Sequence, residues 1–169
     1  MPTKSLIVNC IIASPQDESR VMFVRTKKFR DLSLPGALVP DGANARDLLV
    51  ASVKDRTGIT IECFKRQTYD VPFSSKDTEF NRTVYVSESN SGTPTTMGDM
   101  NKYGIEIYSP DLLFNKDWTV KKMYKLAPGI HKTLLLYYID VAATITSRFP
   151  SYTPLKEVNM EKVCLAAAG

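Results

Sequence analysis

The first apolar segments of the chain predict a β-hairpin near the N-terminus. Residues 5–14 form a run rich in Ile and Val, which is typical of a buried strand. A polar stretch at 15–19 interrupts this run, and a second apolar segment follows at 20–26. Because so short a polar connection joins them, the two segments are predicted to pair as neighbouring strands.

More strands are predicted in the middle of the chain. Residues 59–73 and 81–89 alternate apolar with polar or charged side chains, as half-buried strands do. Residues 104–109 form a further short strand. The polar loop at 90–102 is longer than most connections between elements, which indicates a functional loop.

Two helices are predicted, one before these strands in the chain and one after them. The first covers residues 44–57, with Asn44 as its N-cap and Gly58 as its stop signal. The second begins near Pro128, a favourable first-turn residue, and runs to about Arg148. Apolar residues nearly encircle this second helix, so most of it should be buried.

This order of elements predicts one α/β (α+β) domain over residues 1–169. Hairpins mixed with separate helices favour a sandwich in which helices cover both sides of a mixed β-sheet. A length of 169 residues, of which 43% are hydrophobic, suits a single domain with its own core.

Composition narrows the class of partner and the compartment. The net charge of +4, from 22 basic and 18 acidic residues, favours anionic partners without the strongly basic surface of a dedicated nucleic-acid binder. Three well-separated cysteines and a sole histidine argue against a zinc site. An odd cysteine count with no visible secretory signal predicts a reducing, cytoplasmic setting. The longest apolar stretch near the C-terminus contains Asp140 and is shorter than the roughly 20 residues that span a bilayer, so no membrane association is expected.

Residues 32–61, LSLPGALVPDGANARDLLVASVKDRTGITI, combine a Leu-Pro-Gly turn, the first helix, and a glycine that leads into a strand. This stretch resembles the signature box of the Nudix (MutT-like) hydrolases, G-x5-E-x7-R-E-U-x-E-E-x-G-U, where U is a bulky aliphatic residue. Gly58 falls on the late glycine, Ile59 on the last aliphatic position and Ala37 on the first glycine, so the box-like segment is 37–59. The resemblance implies a Nudix-like α/β/α sandwich. It also implies an enzyme that hydrolyses nucleoside diphosphates linked to another group, with magnesium or manganese held by the box glutamates.

The box-like segment departs from the Nudix signature at the positions that carry its functional residues. Ala43 stands at the first glutamate, Ala51 at the arginine, and Ser52 at the glutamate that follows it. Asp55 keeps an acid at the first position of the glutamate pair, and Arg56 replaces the second. The departures put the hydrolase activity in doubt, because these positions carry the metal ligands of the family.

Ser52, Asp55 and Arg56 share one face of the predicted helix, because their spacing is i, i+3, i+4. A magnesium site needs several hard oxygen ligands and little competing positive charge. This face offers one hydroxyl, one carboxylate and one permanent cation. The sequence therefore predicts no bound cofactor, with Asp55 the one candidate ligand if magnesium or manganese does bind.

A basic cluster beside the box is a candidate binding site for a phosphate or an RNA backbone. It consists of Arg25, Lys27, Lys28 and Arg30, with Phe29 placed to stack on a base. The alternative is an ordinary solvated loop, with Phe29 at the edge of the core.

The box helix supplies two further candidate ligand-binding residues, Ser52 and Arg56. Arg56 could bind a phosphate oxygen where a relative holds the metal. The alternative is an exposed arginine that interacts favourably with the C-terminal end of the helix dipole.

Residues outside the box offer other candidate chemistry. Glu106 or Asp99 could act as a general base or as part of a displaced metal site. His131 is predicted on the surface of the last helix, with a catalytic role as the alternative. Cys10 and Cys63 are predicted to be buried strand residues without the basic, exposed setting of a reactive thiol.

Three functions fit these features. The first is a Nudix-like module that binds a nucleotide, an RNA or a protein without hydrolysis. The second is a divergent magnesium- or manganese-dependent hydrolase whose catalytic residues include Asp55 and Glu106. The third is a structural subunit that docks a protein partner or a second copy through the basic loop and the 90–102 loop.

Overall fold

The computed structural model describes residues 4–26, 31–94, 103–160 and 162–163. The strands are β1 (Lys4–Ile11), β2 (Ala13–Ser14), β3 (Asp17–Thr26), β4 (Leu32–Ser33), β5 (Gly36–Val39), β6 (Thr60–Ser75), β7 (Thr78–Ser91) and β8 (Tyr103–Tyr108). The α-helices are α1 (Ala45–Thr57), α2 (Pro110–Leu113), α3 (Ile130–Asp140) and α4 (Ala142–Arg148), and a 3-10 helix covers Leu155–Glu157. Over the described ranges, no helix has the length and apolar character needed to cross a membrane.

The larger sheet is mixed, as predicted. Its strand order is β5-β1-β7-β6. Strand β1 pairs antiparallel with β5 and parallel with β7, and β7 pairs antiparallel with β6. The β6–β7 hairpin is longer than the two predicted strands, because its arms pair up to a tight turn at Lys76, which has a positive φ of 53°.

The smaller sheet is built around β3. Val21 pairs with Ala13 of β2 and with Tyr108 of β8, so β2 and β8 lie on opposite edges of β3. Strand β4 shares the β2 edge, where Leu32 pairs with Arg25. The predicted N-terminal hairpin is present as β2–β3. The run predicted as one strand at 5–14 is divided after Ile11, because β1 belongs to the larger sheet and β2 to the smaller one.

Two hydrophobic cores lie on opposite faces of the sheets. One contains Cys10 of β1 together with Leu49 and Val53 of α1. The other contains Ile11 of β1 and Leu134 of α3. Because adjacent strand residues point to opposite faces, α1 and α3 cover opposite sides of the molecule. The predicted sandwich of helices around a mixed sheet is therefore confirmed.

The helix predicted from Pro128 to Arg148 is two helices. Gly129, in the left-handed conformation with a φ of 83°, precedes α3. Val141, with φ −106° and ψ 28°, leaves helical geometry and separates α3 from α4. Helix α2 was not predicted, and most of the predicted 90–102 loop, including Asp99, lies outside the described residues.

Two side-chain placements differ from the sequence-based expectations. Cys63 is exposed on β6, where irregular pairing with β7 turns it outward and its Sγ lies 3.3 Å from Glu88 Oε2. Cys10 is buried as expected, and burial raises the pKa of its thiol to about 12. His131 is not on the surface: it is 8% exposed, because the segment around Phe114 and Trp118 folds over its side of α3.

The buried His131 is uncharged in its hydrogen-bonded environment. Its Nε2 lies 2.8 Å from the Trp118 carbonyl oxygen, which can only accept, so Nε2 carries the proton. The ring stacks on Phe114 with centroids 5.3 Å apart. Burial lowers the pKa of His131 below its usual value, although the hydrogen bond to Trp118 opposes the shift.

The protein is expected to lose stability as the pH falls below about 6.5. In that window the unfolded chain binds a proton at His131 while the folded chain does not, and the loss ends once the pH passes below the lowered folded pKa. His131 is the sole histidine, so His131→Phe should flatten the profile between pH 7 and pH 5. Urea unfolding at several pH values measures this, and an unchanged profile in the variant would contradict the burial of His131.

Candidate functional site

Helix α1, the predicted box helix, begins and ends at the residues that the sequence indicates. The Asn44 side chain accepts a hydrogen bond of 3.0 Å from the Asp47 backbone N–H, as an N-cap does. Gly58 has a φ of 78°, and its N–H donates to the Lys54 carbonyl. This left-handed residue ends the helix and turns the chain into β6.

A hydrogen bond fixes α1 to β5, and β5 in turn approaches the backbone of β1 closely. The Ser52 hydroxyl donates to the Gly36 carbonyl oxygen over 2.8 Å. Gly36 pairs with Asn9 of β1, and a Cβ at Gly36 would lie 2.0 Å from the Val8 carbonyl oxygen. The Ser52 hydroxyl, predicted as a ligand-binding group, therefore also links the box helix to β5.

The box positions of α1 present few acidic groups. Ala51 and Asp55 are exposed, as is Ala43 just before the helix, and Arg56 is partly buried. Asp55 is the one carboxylate among the box positions that carry acids in the Nudix signature. Throughout the described ranges, no three His, Cys, Asp or Glu side chains lie together so that they could hold a metal ion.

Glu106 and Arg25, predicted in different roles, form an ion pair across β8 and β3. Arg25 Nε lies 2.7 Å from Glu106 Oε2, and the Tyr108 hydroxyl donates to Glu106 Oε1 over 2.5 Å. Partial burial opposes ionisation of Glu106, but the bonds from Arg25 and Tyr108 outweigh it and lower its pKa. Glu106 is therefore held as a carboxylate, which makes it a weak proton acceptor.

The structure does not bring Glu106 and Asp55 together. Ile105 packs in the core that contains the α1 residues, so its neighbour Glu106 points to the other face of the smaller sheet. Asp55 is exposed on α1, which covers the first face. Lys27, Lys28, Phe29 and Arg30 lie outside the described residues.

Comparison with known proteins finds solved structures that are similar to this chain but no sequence family that matches it. No family model and no curated protein matches the chain. The MutT protein from Methanosarcina mazei Go1 superposes with a TM-score of 0.65 at 12% identity, over 83% of this chain and 96% of that one. The E. coli ORF135 protein gives a TM-score of 0.61 at 14% identity over 88% of this chain and 95% of that one. The MutT NUDIX hydrolase from Burkholderia pseudomallei gives 0.60 at 14% identity over 78% and 96%.

The chain has a Nudix fold. At 12–14% identity the likeness concerns the fold alone. It agrees with the resemblance drawn from residues 32–61.

Sequence reasoning missed a buried cation on the α3 side of this Nudix fold. Arg82 of β7 is 4% exposed. Its Nη1 donates to Asn9 Oδ1 over 2.6 Å, and its Nη2 donates to the Pro128 carbonyl oxygen over 2.8 Å. Its guanidinium lies 5.0 Å from the centre of the Phe73 ring. Burial lowers the pKa of Arg82 to about 10, and among the described residues its Nε has no hydrogen-bond partner.

The signal for Arg82 was present in the strand pattern. Arg82, Val84 and Val86 occupy alternate positions of β7, so they point to the same face. An arginine in phase with two buried valines indicates a buried cation with specific acceptors. What the pattern could not supply was the identity of those acceptors, because Asn9 is 73 positions away.

Arg82 and Asn9 extend the network to the turn before the box helix. The Asn9 side-chain amide donates to the Leu34 carbonyl oxygen over 2.9 Å. Hydrogen bonds therefore connect Pro128, before α3, through Arg82 and Asn9 to the turn that enters β5. This network links the segment before α3 to β7, to β1 and to the turn before β5.

Proposed function

We propose that this chain is a binding module on a Nudix fold that does not hydrolyse its ligand. The observation that carries the proposal is the face of α1 formed by Ser52, Asp55 and Arg56. It presents one exposed carboxylate beside an arginine, and its one hydroxyl donates to Gly36. A hydrolase of the Nudix type would need several carboxylates there.

The donors on this face do not fit a divalent cation. Magnesium takes oxygen ligands in near-octahedral geometry and in proteins is held through carboxylates. Asp55 could supply one ligand, and Arg56 next to it contributes positive charge that repels the ion. Glu106, the other candidate acid, points to the opposite face and is paired with Arg25. No catalytic step through a metal is therefore proposed.

The proposed ligand is a nucleotide phosphate, either free or at the end of an RNA. Arg56 on the box helix can form charge-assisted hydrogen bonds with phosphate oxygens. The net charge of +4 favours an anionic ligand. The fold is shared with the MutT NUDIX hydrolase from Burkholderia pseudomallei, and the resemblance of residues 32–61 to the Nudix box supports a phosphate-binding location beside α1. The basic loop remains a predicted part of the phosphate-binding site, with the residues Lys27, Lys28, Phe29 and Arg30.

Incubation with a panel of nucleotides tests binding and hydrolysis together. The panel contains ADP-ribose, a dinucleoside polyphosphate and capped RNA, each with and without Mg²⁺ or Mn²⁺. We expect one ligand to raise the melting temperature and to be recovered intact by chromatography. Arg56→Ala should reduce the shift, whereas Arg66→Ala, which removes an exposed arginine of β6, should not.

Two outcomes would contradict the proposal. Metal-dependent turnover that is lost in Asp55→Ala would identify a divergent hydrolase. A melting temperature that no nucleotide changes would exclude the nucleotide ligand and would favour a role in a protein assembly.

A further inference from the structure

A concave site lies away from α1, where α4 and the segment after it fold back over α3. It is a cavity of about 430 Å³. Its walls include Trp118, Ile139, Ile145, Phe149, Tyr152 and Lys156. None of these residues belongs to the box helix or to the Arg82 network, so the cavity is separate from the candidate site described above.

Hydrogen bonds turn the polar atoms of the aromatic walls towards the protein. The Trp118 indole N–H donates to the Thr153 carbonyl oxygen over 2.7 Å, and the Tyr152 hydroxyl donates to the Phe114 carbonyl oxygen over 2.9 Å. The two rings contact each other at a centroid distance of 4.9 Å. Since their polar groups already have partners, these side chains offer the cavity mainly carbon surface.

Trp118 is held in place at a conformational cost. Its φ of 69° is in the left-handed region, which a bulky residue rarely adopts. Three hydrogen bonds keep it there, from its indole to Thr153, from its backbone N–H to Asn115 and from His131 to its carbonyl oxygen. The surrounding structure therefore fixes the wall of the cavity before any ligand arrives.

The cavity has a cation at its edge. Lys156 is exposed, and among the described residues that line the cavity it is the one charged side chain. Burial of carbon surface would drive binding of an apolar body, and the Lys156 ammonium group, with no acid on the part of the lining that the structure describes, selects a negative end. The volume is within the usual range of small-molecule sites, about 300–1,000 Å³.

We propose that this cavity binds a small amphiphilic carboxylate, with its hydrocarbon part against Ile139, Phe149 and Tyr152 and its carboxylate beside Lys156. This inference goes beyond nucleotide binding at α1 and does not depend on it.

The sole tryptophan of the chain is a built-in reporter of this site. Titration with hexanoate, octanoate and decanoate below their micellar concentrations should change Trp118 fluorescence saturably. Affinity should increase roughly fourfold for each added methylene, which corresponds to about 0.8 kcal/mol per buried CH₂. Decanol, which lacks the charge, should bind more weakly than decanoate.

Three variants locate the ligand and test its charge. Lys156→Gln should weaken decanoate binding several-fold and leave decanol binding unchanged. Ala142→Phe and Thr146→Phe each fill the cavity from α4 and should abolish the fluorescence change. Ala51→Phe, at an exposed position of α1, is the matched control and should bind normally. Melting curves establish that each variant is folded.

The proposal would be overturned by a fluorescence change that does not saturate, or by normal binding in a folded cavity-filling variant. Equal affinity for decanoate and decanol, unaffected by Lys156→Gln, would overturn the assignment of a carboxylate ligand. Nucleotide binding at α1 is measured separately with the nucleotide panel, so failure of either proposal can be distinguished from failure of the other.

Discussion

Gly36→Ala should destabilise the protein by about 3 kcal/mol, at the upper end of the cost of overpacking a core. An alanine Cβ at this position would lie 2.0 Å from the Val8 carbonyl oxygen and 2.9 Å from the Asn9 Cα. Both are backbone atoms of β1, so relief requires β5 to move away from β1. That movement would also disturb the hydrogen bond from Ser52 to Gly36, which fixes the box helix.

Urea unfolding measures this loss, and Gly104→Ala is the matched control. Gly104 also lies in a strand, but a Cβ there would meet nothing within 4 Å among the described residues. Alanine at position 104 should be neutral or slightly stabilising, because glycine is unfavourable in a strand interior. If both variants unfolded at the same urea concentration, the close approach of β5 to β1 would be wrong.

Arg82→Ala should cost about 2–4 kcal/mol, because it leaves the buried Asn9 Oδ1 without its donor and breaks the part-buried bond to the Pro128 carbonyl oxygen. It also removes the group that packs on the Phe73 ring. Relief of the cost of burying the charge offsets part of this loss.

The same unfolding experiment measures the effect of Arg82→Ala. Arg66→Ala is the control, because Arg66 is exposed on the neighbouring strand and its loss should change stability by less than about 0.5 kcal/mol. Arg82→Lys should recover only part of the stability, since a single ammonium cannot reproduce the fork of two parallel donors. Full stability in Arg82→Ala would show that the bonds from Arg82 to Asn9 and Pro128 do not stabilise the fold.

The features that the sequence predicted well are local ones. The ends of α1 depend on Asn44, which caps a residue three positions away, and on Gly58, which adopts a conformation that other residues avoid. The alternation of apolar and polar residues in β6 and β7 likewise follows from patterns within a few residues. Such features are readable from sequence because short-range geometry decides them.

The features that the sequence did not predict depend on contacts between distant segments. Glu106 was predicted as a possible base, but its environment is set by Arg25, 81 positions earlier. His131 is buried because Trp118 and its neighbours fold over α3, and nothing in the helix itself signals that cover. The break at Val141 is also invisible in an apolar run that continues across it.

In the candidate site, too, local features could be predicted from the sequence and contacts between distant segments could not. The register of the box located Ser52, Asp55 and Arg56 on α1, and the chemical types of these residues were enough to question metal binding. The hydrogen bond from Ser52 to Gly36 could not be predicted from the sequence, because it depends on how close β5 lies to α1 in the folded protein.

The most direct test is titration of the protein with Mn²⁺, followed by the EPR signal of the free ion. If the α1 face holds no divalent cation, the signal should match that of buffer alone up to millimolar protein and metal, and Asp55→Asn should change nothing. Loss of signal equivalent to one ion per chain, abolished in Asp55→Asn, would contradict the account and would establish a metal site on the box helix.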